Sequence, residues 1–157
     1  MQFGVFTKNL SIDEQMVRYY GHHYFKQFIR GKPIRFDFKQ WTMCAADSGY
    51  CFKTELYTGK RNDDHQVDGL GASIIMNNIN AIRTPSNYAF YFDNFFTSFQ
   101  LMCKLKERKI AATGTVRRNL INKCRIKSDA DLKKDDRGAI DYRFDKRNEI
   151  FCRLEGQ

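Results

Sequence analysis

The stretch from Tyr88 to Asp93 reads Tyr-Ala-Phe-Tyr-Phe-Asp, and it restricts the fold more than any other segment of the chain. Period-2 alternation places Tyr88, Phe90 and Phe92 on one face of a strand and Ala89, Tyr91 and Asp93 on the other. So dense an aromatic run calls for a buried, central position in a sheet. Helices are expected on both flanks. Upstream, Leu70, Ile74, Ile75, Ile79 and Ile82 recur near helical spacing, predicting a helix from about Gly69 to Ile82 that Thr84-Pro85-Ser86-Asn87 breaks. Downstream, Thr97-x-x-Gln100 has the form of a capping box, and Phe99, Leu101, Met102, Cys103 and Leu105 make an amphipathic helix ending near Ile110.

Three strands precede this unit. Leu10 and Ile12 alternate with Ser11 and Asp13, a short strand that delivers Asp13 at its exit. Met16 to Gly31 is aromatic and basic without clean periodicity and reads as an ordered loop, in which Tyr19, Tyr20, Tyr24 and Phe25 are expected to pack rather than to stack on bases. Ile34, Phe36 and Phe38 alternate with Arg35, Asp37 and Lys39, then the apolar phase moves to Trp41, Met43 and Ala45, which suggests a β-bulge. Asp47-Ser48-Gly49 turns the chain into a returning strand over Phe52 to Leu56, and Thr58 to Asp68 is a surface loop. After the second helix come a strand at Ala112 to Val116, a polar linker from Arg117 to Gly138, and a terminal hairpin over Ile140 to Phe144 and Ile150 to Cys152. Three strands followed by alternating helix and strand fit an α/β, ribonuclease H-like mixed sheet with flanking helices. In that layout the first and fourth strands are neighbours, so Asp13 and Asp93 meet at one edge.

At 157 residues and 18.6 kDa, one domain accounts for the chain. No 18-residue apolar run points to a membrane. Five cysteines, odd in number and without a C-x-x-C pair, read as reduced thiols and not as a zinc site. The net charge of +9 is unevenly spread. Between Lys104 and Lys127 nine cations face a single anion, Glu107, a balance of +8. A phosphate backbone suits such a field, because neutralising phosphates releases condensed counterions. Arg117, Arg118, Lys123 and Arg125 are the candidate contacts to nucleic acid.

A set of short motifs carries a family resemblance: Leu-Ser-Ile-Asp-Glu-Gln at 10–15, Gly-Lys-Pro-Ile-Arg at 31–35, Gly-Leu-Gly at 69–71, Phe-Asp-Asn-Phe-Phe-Thr-Ser at 92–98, Gly-Thr-Val-Arg-Arg-Asn at 114–119 and Ile-Asp-Tyr-Arg at 140–143. In this order they resemble the catalytic domain of piggyBac-type transposases and the host proteins derived from them. The resemblance implies a three-aspartate, Mg²⁺-dependent site that cuts and joins DNA strands, a nuclear location and a homodimer. It assigns Asp13 and Asp93 as the first two catalytic, metal-holding aspartates, and it implies a third beyond residue 157. It also divides the chain into a partial ribonuclease H-like unit at 1–119 and a basic linker with the terminal hairpin at 120–157. The sheet is therefore expected to be incomplete at its C-terminal side and the chain to be inactive alone. Two other readings fit the same residues, a DNA-binding module without chemistry and a non-functional remnant.

Overall fold

Strand β1 (Asn9–Val17) organises the sheet, because it has a partner along each edge. On one side it pairs antiparallel with β3 (Phe36–Ala45), from Leu10↔Ala45 to Val17↔Phe38. On the other it lies parallel to β5 (Ala89–Phe92), which in turn lies parallel to β6 (Ala111–Gly114). The far edge of β3 takes two strands in succession, β2 (Lys26–Phe28) and β4 (Cys51–Leu56). The computed structural model describes residues 7–31, 33–59, 69–121 and 124–156, so most of the Thr58 to Asp68 loop lies outside it. The chain is α/β with a mixed sheet, and β1 and β5 are neighbours as expected.

One face of this sheet holds the core. Leu10, Ile12, Met43 and Phe90 are fully buried, Trp41 and Phe92 nearly so. Helix α1 (Gly69–Asn80) adds Ala72, Ile75 and Ile79, and α2 (Phe99–Glu107) adds Leu101 and Leu105, in a single apolar cluster. Burying each large side chain is worth roughly 1.5–3 kcal/mol relative to exposure. The opposite face carries Ser11, Asp13, Thr42, Cys44 and Tyr91, small or polar apart from the tyrosine, which is 39% exposed. The aromatic strand is thus central, and among the described residues its covering helices lie on one side.

The structure departs from several local expectations. Asp13 does not sit at a strand exit, since pairing with β3 carries β1 on to Val17. Within Met16 to Gly31 the short strand β2 forms against Phe36–Phe38. No bulge interrupts the β1–β3 register. The irregularity lies between Met43 and Cys44 on the β4 side, where Phe52 is the extra residue, so the apparent phase change along β3 is a change in which face is covered. The N-cap of α2 is Ser98, whose hydroxyl accepts from Leu101 N at 3.2 Å, and not Thr97. The polar linker contains a 3-10 turn (Arg118–Leu120), a short helix α3 (Asp129–Leu132) and two buried side chains, Ile126 and Leu132.

The terminal hairpin, β7 (Ile140–Asp145) and β8 (Ile150–Glu155), forms a separate two-stranded sheet. Asp145 closes its turn, accepting from Arg147 N at 3.0 Å and from the Asn148 side-chain amide at 2.7 Å. The Asn148 amide above all holds this carboxyl below its usual pKa, and the Lys127 backbone amide does the same for Asp141. A carboxyl depressed in the folded state adds stability above its unfolded pKa of about 4, and that stability is lost as pH falls through the depressed value. Acid titration below about pH 4 should therefore weaken the near-ultraviolet circular dichroism of the Tyr142–Phe151 ring pair, 5.7 Å apart. Asp145→Asn should shrink that pH dependence; an unchanged profile would refute the assignment.

Candidate metal and nucleic-acid site

The β1–β5 pairing ends at Ile12↔Phe92, and the next residue on each strand is an aspartate, Asp13 and Asp93. Parallel neighbours lie about 4.8 Å apart. The hydrophobic pair is buried and the acidic pair is exposed. Two strands far apart in sequence thus place two carboxylates at one end of one parallel pair.

Each aspartate is held by backbone. The Asp13 carboxylate accepts from Glu14 N at 2.7 Å, and its carbonyl accepts from the Thr42 hydroxyl at 3.1 Å across the β1–β3 pair. Asp93 Oδ1 accepts from Phe95 N at 2.8 Å, while its carbonyl collects Phe96 N and Thr97 N at 3.3 Å and the Thr97 hydroxyl at 2.8 Å. The chain therefore wraps tightly round Asp93 before α2 begins.

Two glycines let other elements close on that turn. A Cβ at Gly71, on α1, would lie 2.5 Å from the Phe95 carbonyl oxygen and 2.9 Å from Phe96 Cα. One at Gly114, at the end of β6, would collide with the Thr97 hydroxyl. Both belong to glycine motifs visible in the sequence, but only the three-dimensional contacts give them a reason.

Arg117 reaches the same turn, its Nε donating to Asn94 Oδ1 at 3.1 Å beside Asp93. Asn94 is thus the link between the basic segment and the acidic pair. Arg118 directs two N–H groups elsewhere, to the carbonyls of Lys127 at 2.6 Å and Ile126 at 2.9 Å. Arg125 is exposed and its carbonyl accepts from Arg143 Nε at 3.1 Å; Lys123 lies outside the described residues. The rest of the run is dispersed. Arg108 donates to Asn80 on α1 at 2.9 Å, Lys106 pairs with Glu149 in the turn of the terminal hairpin, and Lys127 pairs with Asp135 at 2.8 Å. Among the described residues, cations contiguous in sequence thus engage partners on several different elements.

The comparisons with known proteins agree with this architecture. A family model described as Transposase IS4 matches residues 1–157. The chain is 46% identical over 147 residues to PiggyBac transposable element-derived protein 3 of Homo sapiens, covering 91% of this chain and 24% of that protein. It is 38% identical over 149 residues to the human PiggyBac transposable element-derived protein 2, covering 91% and 25%. Among solved structures it resembles a piggyBac transposase in a cryo-EM synaptic complex with hairpin DNA, with a TM-score of 0.69 and 27% identity over 89% of this chain and 29% of that one. The fold is therefore the ribonuclease H-like catalytic-domain fold of a transposase. Within that class, the chain belongs to the piggyBac-type transposase family, and it spans about a quarter of the length of the curated relatives it matches.

Proposed function

We propose that this domain serves DNA strand cleavage and joining, with Asp13 and Asp93 holding a divalent cation and Arg117 facing a phosphate. The observation that carries the reading is the pair of aspartates one residue past Ile12↔Phe92. Carboxylate oxygens suit Mg²⁺, a hard octahedral ion that favours oxygen ligands. When bound, such an ion polarises a phosphoryl oxygen and stabilises developing charge. The chain's own contribution is orientation. Glu14 N and Phe95 N each fix one oxygen of a carboxylate, and Asn94 fixes the Arg117 guanidinium on the adjoining turn. Two carboxylates hold one ion loosely, and a pair of ions needs further oxygen ligands. Among the described residues no group of three acidic, histidine or cysteine side chains is assembled for a metal.

DNA is the partner this reading calls for, with Arg125 as an exposed further contact and the nucleus as the place of action. A homodimer is part of the same proposal. The structural neighbour, captured in a synaptic complex with hairpin DNA, supports the DNA reading.

Titrating Mn²⁺ while following amide line broadening tests the metal reading directly. Broadening is expected to centre on Asp13–Glu14 and Asp93–Phe95, and Asp93→Asn should weaken Mn²⁺ binding at least about tenfold, 1.4 kcal/mol. Broadening that is unchanged in both Asp13→Asn and Asp93→Asn would sink the site.

A further inference from the structure

A second surface lies further along β1. From Arg18 to Phe36 the chain has five cations, Arg18, Lys26, Arg30, Lys32 and Arg35, with no aspartate or glutamate, and six of these 19 residues are tyrosine or phenylalanine. Of the four rings expected to pack, Tyr19, Tyr24 and Phe25 do so against neighbouring rings, yet much aromatic surface of the segment stays exposed. Tyr20 is 89% exposed, Tyr24 82%, and the cross-strand pair Phe28↔Phe36 65% and 58%. Tyr24 and the neighbouring Tyr19 are nevertheless tied into ordered structure. Tyr19 stacks on Phe38 at 4.7 Å, and His23 stacks on Tyr24 at 4.8 Å and meets the edge of Phe38. Asp37, 8% exposed, accepts from Tyr19 N at 3.1 Å and pairs with Lys26 at 3.3 Å, while Lys26 Nζ donates to the Tyr19 carbonyl at 2.7 Å. At Gly21 a Cβ would lie 2.7 Å from the Tyr19 hydroxyl, so that ring folds back closely over Gly21 and would have to shift to admit a side chain there.

We propose that this face is a stacking platform for single-stranded DNA, an inference that rests on the DNA reading of the aspartate pair. Held aromatic rings offer their faces to unpaired bases, and the surrounding cations match the phosphates between them. A duplex keeps its base faces stacked inside and makes no use of the rings, and an apolar protein partner makes no use of the exposed cations Arg18, Arg30 and Arg35. The platform also has a path to the site. Tyr19 follows Asp13 by six residues, about 20 Å along an extended chain, which puts the rings a few nucleotides from a strand held at the aspartates.

Fluorescence anisotropy with three probes of equal length tests this: a labelled oligo-dT strand, a DNA duplex and an abasic strand that has the phosphates without the bases. Oligo-dT should bind more tightly than the abasic strand. Alanine at Tyr20, Tyr24 and Phe28 together should weaken oligo-dT at least about tenfold, within the roughly 5- to 150-fold expected per stacked base. The same variant should leave the abasic strand and the circular dichroism spectrum unchanged, and Tyr24→Phe should bind oligo-dT like the parent. Equal affinity for oligo-dT and the abasic strand, or a triple variant that binds oligo-dT normally, overturns the platform while duplex binding stands. Failure to bind single strand and duplex alike overturns the platform and the DNA reading together.

Discussion

Phe90→Ala is expected to destabilise the domain by about 3–5 kcal/mol, as truncating a fully enclosed phenylalanine does. The ring has no solvent exposure, and its strand sits between β1 and β6, with Leu10 and Ala112 opposite it. Nothing on either side can collapse into the space without disturbing a parallel pair. Against a total of roughly 5–15 kcal/mol for a domain, that loss removes about a fifth of the stability or more. Urea titration of the two proteins gives the difference, and a cost under about 1 kcal/mol would mean that the site can repack. Tyr91→Ala, one residue on and 39% exposed on the uncovered face, should cost much less.

Gly71→Ala is the more diagnostic change because two general effects oppose each other. Alanine inside a helix is favoured over glycine by about 1 kcal/mol. Here the added methyl would meet main-chain atoms of Phe95 and Phe96, which cannot rotate aside as a flexible side chain can. Overpacking against backbone costs about 1–3 kcal/mol or more, so the net change should be destabilising. The strain falls on the turn whose Phe95 N–H orients the Asp93 carboxylate. Weaker Mn²⁺ binding should therefore accompany the lost stability. A Gly71→Ala protein that is more stable and binds Mn²⁺ normally would show that helix α1 does not press on the turn.

These contacts mark the limit of what the sequence discloses. The aromatic run at 88–92 predicts a central strand because burial alone decides its place, and the neighbouring of β1 and β5 follows from the order of elements. The cap of α2 is missed by one residue. Thr97 and Ser98 can both cap, and the choice falls to the Asp93 carbonyl, which engages the Thr97 hydroxyl. Strand β2 is invisible because Lys-Gln-Phe has no alternation of its own and is extended by the edge of β3. The basic run between 104 and 127 looks like one patch in sequence. In the fold Arg108 turns to Asn80, Arg117 to Asn94, and Arg118 to the carbonyls of Ile126 and Lys127. The segment from 18 to 36 has the reverse history. Its rings are expected to pack, yet Tyr20, Tyr24 and Phe28 keep most of their surface exposed, and Asp37 and Lys26 fix the backbone of Tyr19.

The pairing that joins Asp13 to Asp93 also sets an order of events for the growing chain. The two positions are 80 residues apart, and contacts of such sequence separation form late because a long loop must close before they are rewarded. Chains grow at roughly 5–20 residues per second, so β1 waits several seconds for β5 and α2 to be made. Until then β1 has one edge open, and an open edge strand is a template for pairing with another chain. Assembly of the two carboxylates therefore coincides with closure of the aggregation-prone edge, and a nascent chain that stalls before α2 has neither.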